Sequence, residues 1–159
     1  MESKPSKKAA IFTGFTDGEL ALLHGISEFK VYDEGDIIFS LGEEVRRLIV
    51  VAYGTVALTL PIQIKGTSNN VTIEEKGAGA VLAWSALVPP HKFTLGARAL
   101  TAVGLYEFDR DALARLFGEQ PRLHLMIANN LNRVIASRVT LLEALVARDL
   151  QRWVSEKYA

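Results

Sequence analysis

Residues 32–56 read YDEGDIIFSLGEEVRRLIVVAYGTV, and this stretch decides the fold. Two β-rich runs, Ile37–Phe39 and Leu48–Tyr53, are separated by turn clusters at Asp33–Asp36 and Leu41–Glu44. β-Branched and aromatic residues favour strands, whereas glycine, aspartate and serine favour turns. Short strands at close spacing, with glycine between them, are typical of an antiparallel sandwich or barrel.

The same pattern continues on both sides of this stretch. Further strands are predicted at Lys30–Tyr32, Val56–Leu60, Val71–Glu74, Phe93–Arg98 and Ala102–Phe108, with a loop at Gly66–Asn70. Ahead of the strands, Thr16–Glu19 has the Ser/Thr-x-x-Glu pattern of a capping box before an apolar run. The chain is therefore expected to begin with a short amphipathic helix and to continue as a β-rich block.

The segment Gly77–Leu100, GAGAVLAWSALVPPHKFTLGARAL, interrupts the strands. Leu82–Leu87 reads as a loop that opens a short helix. Pro89–Pro90 ends this helix, because proline lacks an N–H and restricts the residue before it. Free N–H groups at a helix start attract anions, so the segment is a candidate site for an anionic ligand.

The C-terminal third is predicted to be helical. Asp109 is a candidate N-cap for a helix over Arg110–Phe117, and Pro121 can open the next helix. Apolar residues then recur at helical spacing at Leu131, Val134, Ile135, Val139, Leu142, Leu145, Val146, Leu150 and Trp153. Because this stripe outruns the β-barrel, we predict a dimerisation helix over about residues 122–155 that makes a homodimer. The alternative is a helix that folds back fully on its own domain.

Asn129, Asn130 and Asn132 fall within this helical region. Asparagine is a poor residue for a helix interior, because its side chain competes for backbone hydrogen bonds. The cluster predicts a break in the helix, with a polar contact in the dimer seam as the alternative.

The composition narrows the classes of function. The chain has 159 residues, enough for one domain with a core, and its 18 basic and 18 acidic residues leave no basic field for nucleic acid. It has no cysteine, which excludes disulfides and thiolate metal sites and favours a reducing compartment. It shows no secretory signal or membrane-length apolar run. We predict a cytoplasmic domain at residues 10–159, after a disordered tail at residues 1–9, with no membrane partner.

The residue types that can ligate metals or catalyse reactions lie far apart in the sequence. His24, His91 and His124 are far apart in sequence, and no two of them have metal-ligating spacing. Ser85 lacks the Gly-x-Ser-x-Gly elbow of a nucleophile. We therefore predict no metal site, no catalytic residue and no enzyme. No helix-turn-helix domain fits between Trp153 and Ala159, so direct nucleic-acid binding by this chain is not expected.

The order of these elements resembles the cyclic nucleotide-binding domain. This is the fold of catabolite-activator-type regulators, of protein kinase A regulatory subunits and of cyclic-nucleotide-gated channels. The likeness rests on residues 32–43, 48–56 and 108–113, in this order and at these spacings. It implies an α+β fold, an antiparallel β-barrel (a jelly roll, or double-stranded β-helix) with a short internal helix, an N-terminal helix and a long C-terminal helix. It also implies turns that need glycine with positive φ at Gly35, Gly42 and Gly54.

The family holds its ligand in a phosphate-binding cassette, Gly-Glu-x-Ala-Leu followed after a few residues by Pro-Arg-x-Ala-Thr. The glutamate accepts a hydrogen bond from the ribose, and the arginine pairs with the cyclic phosphate. Aligned without gaps, Ala86-Leu87 is kept, but Gly-Glu becomes Ala83-Trp84, Pro-Arg becomes Lys92-Phe93, and the threonine becomes Gly96. Tryptophan cannot accept a hydrogen bond from ribose, and phenylalanine cannot neutralise a phosphate.

These departures predict a changed pocket. Removing a charge-assisted contact from a buried site costs about 2–5 kcal/mol, so losing two of them is expected to weaken binding by several orders of magnitude. We predict no cofactor, and that cAMP and cGMP do not bind in the usual way. The candidate residues for a re-purposed pocket are Ala83, Trp84, Ser85, Ala86, Leu87, Lys92, Phe93 and Thr94. Trp84 is expected to fill the pocket, with stacking on a different small ligand as the alternative. Because the family's long helix reaches the pocket, Arg133 and Arg138 are candidates to face it.

The preferred hypothesis is a non-enzymatic regulatory or sensor domain of the cyclic nucleotide-binding fold. One alternative is the effector domain of a transcription regulator, which binds cyclic nucleotide or another small ligand and acts through a DNA-binding partner. The other alternative is a structural interaction module with a filled pocket.

Overall fold

The computed structural model describes residues 9–158, which form strands, α-helices and two single turns of 3₁₀ helix. The 3₁₀ turns are Ala10–Phe12 and Trp84–Ala86. The α-helices are α1 (Asp17–Gly25), α2 (Arg110–Glu119) and α3 (Pro121–Tyr158). The strands are β1 (Ser27–Tyr32), β2 (Ile37–Phe39), β3 (Arg47–Tyr53), β4 (Val56–Ile64), β5 (Thr67–Lys76), β6 (Gly96–Ala99) and β7 (Val103–Asp109). The prediction of helices with antiparallel strands and a short internal helix is confirmed, whereas closure into a jelly-roll barrel stays a prediction.

The strands form two antiparallel sheets. One has the order β1-β7-β3 and the other β2-β6-β4-β5. Strand β7 is central to the first sheet and pairs with both of its neighbours over nearly its whole length. Its residues Leu105, Tyr106 and Phe108 are almost fully buried and join one core cluster with Val56 and Leu58 of the second sheet. Continuous buried runs in β3, β4 and β7 therefore supply a core shared by both sheets.

Local sequence signals set the helix starts as predicted. The Thr16 hydroxyl accepts a hydrogen bond from the Glu19 N–H at 3.2 Å, and the Glu19 carboxylate accepts one from the Thr16 N–H at 2.9 Å. This is the reciprocal capping box. Asp109 caps α2 by accepting from the N–H groups of Asp111 and Ala112, at 3.0 and 2.9 Å. Both caps satisfy donors that would otherwise lack a partner at a helix start.

The glycines expected in strand turns have the predicted conformation. Gly35, Gly42 and Gly54 have φ of 92°, 87° and 85°. At Gly54 there is also no room for a side chain, because an added Cβ would overlap the Ala102 carbonyl oxygen and lie 2.9 Å from the Val103 Cα. This glycine is therefore required by both its backbone angle and its packing.

Two strand predictions need correction. Of the predicted loop Gly66–Asn70 only Gly66 lies in a turn, with Lys65, whereas Thr67–Asn70 belong to β5. Strand β5 pairs with β4 from Val56–Lys76 to Ile64–Thr67, with a register shift between Leu58 and Thr59. The predicted strand at Phe93–Arg98 begins only at Gly96. The Phe93 backbone instead exchanges hydrogen bonds with Gly42 and Glu43, which ties it to the connection between β2 and β3.

The predicted helix break at the asparagine cluster is wrong, because α3 runs without interruption from Pro121 to Tyr158. Asn130 is 5% exposed, and its side-chain amide donates to the carbonyl oxygens of Ile11 and Thr13, at 3.0 and 2.9 Å. Asn129 and Asn132 are exposed. Asn130 therefore fastens the helix to the N-terminal segment, and this tertiary contact outweighs its weak helix propensity.

The N-terminal tail prediction lies largely outside the described residues, which begin at Ala9. Ala9 itself is buried in the core cluster. Across residues 9–158, no helix combines the length and the apolar character needed to cross a membrane.

Candidate ligand site

The internal segment contains a single 3₁₀ turn at Trp84–Ala86, with Ala83 at its start and Leu87 at its end. The Ala86 N–H donates to the Ala83 carbonyl at 3.1 Å, and the Leu87 N–H donates to the Trp84 carbonyl at 3.0 Å. The sequence had predicted free N–H groups at the start of a short helix here. The turn uses them internally, because i→i+3 bonding closes a 3₁₀ helix within three residues.

Phe93 lies at the position where the family pattern has its arginine, and its ring packs into the site. The rings of Phe93 and Phe39 are stacked, with centroids 3.7 Å apart and an angle of 6° between their planes. Phe39 is 6% exposed. The cavity that remains between the turn, Phe93 and the second sheet has a volume of about 20 Å³. A space of that size accommodates about one water molecule, whereas small-molecule pockets measure roughly 300–1,000 Å³.

The predicted site residues separate into three groups. The side chains that line the small cavity are Trp84, Ser85, Phe93 and Thr94. Ala83 and Ala86 are fully buried in the core cluster. Leu87 lines a different cleft, between α2 and α3, and Lys92 is exposed. Only the first group therefore stands at the place where a ligand would enter.

Arg138 also lines the cavity, and it comes from the long helix. Its Nη1 donates to the Glu74 Oε2 of strand β5 at 3.1 Å. Glu74 Oε1 is paired in turn with the ammonium of Lys76. Arg133, the other arginine proposed to face the pocket, is exposed. Arg138 is therefore the charged residue among those that line this cavity, and its charge is paired with the Glu74–Lys76 pair beside it.

Sequence reasoning missed Phe39 and Glu74 as site residues. Phe39 read as an ordinary strand residue, and nothing local marks it as the partner of Phe93, because the contact joins distant parts of the chain. Glu74 had a weak signal, since Glu74 and Lys76 are two apart on a strand and must share a face. That spacing does not reveal the third member, Arg138, which α3 supplies.

A cluster of ionisable side chains lies in the other sheet. Glu107 is 4% exposed, forms an ion pair with Lys30 at 2.8 Å, and accepts hydrogen bonds from Arg47 at 2.9 Å and from the Tyr32 hydroxyl at 3.3 Å. Burial, together with the negative charge of Glu107, raises the pKa of the Tyr32 phenol above its usual value. A buried carboxylate with this many donors is satisfied, so the cluster joins β1, β3 and β7 rather than offering a reactive group.

The metal prediction can be compared only with the described part of the chain. Within residues 9–158, no three histidine, cysteine, aspartate or glutamate side chains come together as a metal site. His91, the histidine nearest the internal turn, has its Nδ1 2.9 Å from the Ser85 carbonyl oxygen. It therefore helps to hold the turn in place.

Two antiparallel sheets, an internal turn between strands and a long C-terminal helix are the elements expected of a regulatory domain with the cyclic nucleotide-binding fold. The chain belongs to the cyclic nucleotide-binding domain family, whose sequence model matches residues 29–120. This match covers more than half of the chain and includes the internal turn and all of α2.

Solved structures agree with this assignment. The chain is similar to the Thermus thermophilus catabolite activator protein, with 25% identity and a TM-score of 0.69 over 89% of this chain and 62% of that one. A cyclic nucleotide-binding domain from Methylobacillus flagellatus aligns with 18% identity and a TM-score of 0.79, covering 90% of this chain and 83% of that one. The N-terminal domain of a Streptomyces coelicolor transcriptional regulator aligns with 23% identity and a TM-score of 0.67, covering 91% and 95%. No curated protein matches the chain.

Proposed function

We propose that this chain is a non-enzymatic regulatory domain in which the usual cyclic-nucleotide site is closed, and which works as a homodimer through α3. The observation that carries the proposal is the stack of Phe93 on Phe39, which leaves a cavity of about 20 Å³. A cyclic nucleotide would have to displace this stack and Trp84 before it could enter. The chain has no cysteine, which supports a cytoplasmic setting.

The chemistry of the lining supports the same conclusion. Trp84 stands in the place of the carboxylate that would accept from a ribose, and Phe93 in the place of the guanidinium that would pair with a phosphate. Each charge-assisted contact of this kind contributes about 1.5–3 kcal/mol. Removing both, without counting the displaced rings, corresponds to roughly two to four orders of magnitude in affinity.

The long helix supports the dimer. In its first part Leu123, Ile127, Asn130 and Leu131 are buried, and the helix contacts the N-terminal 3₁₀ turn and α2. Its second part leaves an apolar stripe exposed by 47–58% at Val139, Leu142, Val146, Leu150 and Trp153. These positions recur every three or four residues and lie on one side of the helix. A matching stripe on a second copy would cover them in a helix pair.

Helix α3 thus connects the closed ligand site with the proposed dimer interface. Arg138 and Val134 stand beside the internal turn, and the exposed stripe begins at Val139. A ligand that changes how α3 packs on the sheets would therefore change the presentation of the stripe. Such coupling requires the ligand to bind one arrangement of the helix better than the other.

Thermal melting with cAMP and cGMP tests the closed site. A ligand with a dissociation constant of 1 µM, present at 1 mM, would stabilise the protein by about 4 kcal/mol. That corresponds to a rise in Tm of roughly 8–16 °C for a domain of this size. We expect no rise with either nucleotide, and a rise of this magnitude would refute the proposal.

A structural interaction module is the second candidate, and the closed cavity favours it too. The two candidates differ in whether any small molecule stabilises the protein. Native mass spectrometry of the protein after incubation with a cell extract separates them. A retained small molecule supports the regulatory domain, and a bare chain supports the module.

A further inference from the structure

A second cavity lies beside the closed one, between the sheets and α3. It has a volume of about 320 Å³ and shares Trp84 and Arg138 with the smaller cavity. Strand β5 contributes Glu74 and Lys76 to its wall. This volume falls at the lower end of the range for small-molecule pockets. The cavity beside Phe93 is therefore too small for a ligand, whereas the neighbouring cavity against α3 has the volume of a small-molecule pocket.

The charges of this cleft favour an anion. The side chains of Arg138, Lys76 and Glu74 are only 19%, 27% and 20% exposed, so they are partly shielded from water. Two cations share one carboxylate, which leaves one positive charge in excess. Arginine has five N–H donors in a planar fork, and only one of them bonds to Glu74. The remaining donors suit a carboxylate, which guanidinium binds in a bidentate way.

The other walls of the cleft favour a flat apolar body. Trp84 is half-buried and lines the cleft. Val134 and Leu141 of α3 and Val81 before the turn supply aliphatic surface. An aromatic ring stacked on an indole gains the burial and geometry that aromatic pairs prefer.

We propose that the cleft between α3 and strand β5 binds a planar aromatic carboxylate, with Arg138 and Lys76 facing its charge and Trp84 its ring. This rests on the proposed function, because it gives the regulatory domain a ligand in place of a cyclic nucleotide. The ligand would bridge the sheets and α3, since Val134, Arg138 and Leu141 belong to the helix and Lys76 and Trp84 do not. Its binding would therefore act directly on the position of the helix.

Isothermal titration with two matched probes tests the proposal. The probes are 2-naphthoate and its neutral isostere 2-naphthamide. Naphthoate is expected to bind the wild-type protein with a sub-millimolar dissociation constant, at least about tenfold more tightly than naphthamide. In a Trp153→Phe background Trp84 is the sole tryptophan, so naphthoate should quench its fluorescence with the same midpoint. Equal affinities for the two probes, or no saturable binding of naphthoate, would overturn the proposal.

Two variants with opposite expected effects on naphthoate affinity distinguish a change at the site from misfolding, because misfolding would weaken binding in both. Arg138→Gln should weaken naphthoate binding roughly ten- to a hundredfold and leave naphthamide unaffected. Glu74→Gln should strengthen it roughly two- to fivefold, because it frees the guanidinium from a competing carboxylate. Glu75→Gln and Arg133→Gln are the controls, since both residues are exposed and neither lines the cleft. Unchanged affinity in Arg138→Gln, or weaker binding in Glu74→Gln, would overturn the assignment.

The outcome for the cleft is separable from the outcome for the proposed function. If cAMP stabilises the protein, the closed-site proposal fails whatever naphthoate does. If cAMP has no effect and naphthoate shows no dependence on Arg138, only the cleft assignment fails.

Discussion

Replacing Val146 by glutamate is expected to separate the dimer that α3 is proposed to form. Val146 is 58% exposed and lies at the middle of the apolar stripe. Fully burying a large apolar side chain contributes about 1.5–3 kcal/mol, so covering the exposed half contributes about 1 kcal/mol. Five stripe residues on each of two helices then sum to roughly 10 kcal/mol, against an association cost of roughly 4–15 kcal/mol. A dimer with this balance is sensitive to the loss of a single layer.

The substitution removes about 2 kcal/mol of apolar burial over the two copies. It also places two carboxylates at one level of the seam, where each leaves water at a cost of at least about 1 kcal/mol. The total of about 4 kcal/mol corresponds to roughly a thousandfold weaker association. Sedimentation velocity over a range of concentrations measures this shift directly. Ala144→Glu, with the same charge change on the opposite side of the helix, should leave the dimer intact. A wild-type monomer at high micromolar concentration, or equal effects of the two variants, would refute the proposed seam.

Three further measurements address the stability of the fold. Asn130→Ala should lower the free energy of unfolding by about 2–4 kcal/mol, because it removes the partner of the buried Ile11 carbonyl and of the partly buried Thr13 carbonyl. Asn129→Ala should change it by less than about 1 kcal/mol in urea titrations. The backbone N–H groups of Ala112 and Asp111 hold the pKa of the Asp109 carboxyl below its usual value, so its stabilising effect is complete above about pH 4 and is lost as the pH falls through the lowered pKa. Asp109→Asn, which keeps the cap, should flatten the loss of stability below pH 4, and an unchanged acid slope would contradict this. Gly54→Ala should cost more than about 2 kcal/mol because strain and overlap combine, whereas Gly66→Ala, where a Cβ meets open space, should cost about 1–2 kcal/mol in thermal melts.

Local signals in the sequence predicted local structure well. The capping box at Thr16, the cap at Asp109 and the turn glycines each depend on atoms within a few residues, and each was confirmed. The start of α3 at Pro121 was predicted for the same reason. The order of these signals along the chain was enough to indicate the family, because the spacing between turns reports the topology of the strands.

Contacts between distant residues could not be predicted in this way. Asn130 was predicted to break the helix because helix propensity depends only on the residue and its near neighbours in sequence. Its hydrogen-bond partners, Ile11 and Thr13, lie more than a hundred residues away in the chain. The stack of Phe93 on Phe39 is equally non-local. The sequence predicted that the arginine that pairs with the phosphate is replaced by Phe93. Only the structure shows that the Phe93 ring stacks on Phe39.

The hydrogen bonds of the internal turn could not be predicted from the sequence either. The residues of the turn were identified correctly, but a short helix and a 3₁₀ turn have the same sequence signals. The difference decides whether the amides of Ala86 and Leu87 face a ligand or bond to Ala83 and Trp84. Geometry at this scale depends on how the turn packs on the sheets, which no local pattern records.

Isothermal titration of the wild-type protein with cAMP tests the central claim most directly, namely that the usual site is closed by Phe93 and Phe39 and has lost its charged partners. We predict no saturable heat at any cAMP concentration up to about 1 mM. A one-to-one isotherm with a dissociation constant in the micromolar range or tighter would contradict the account.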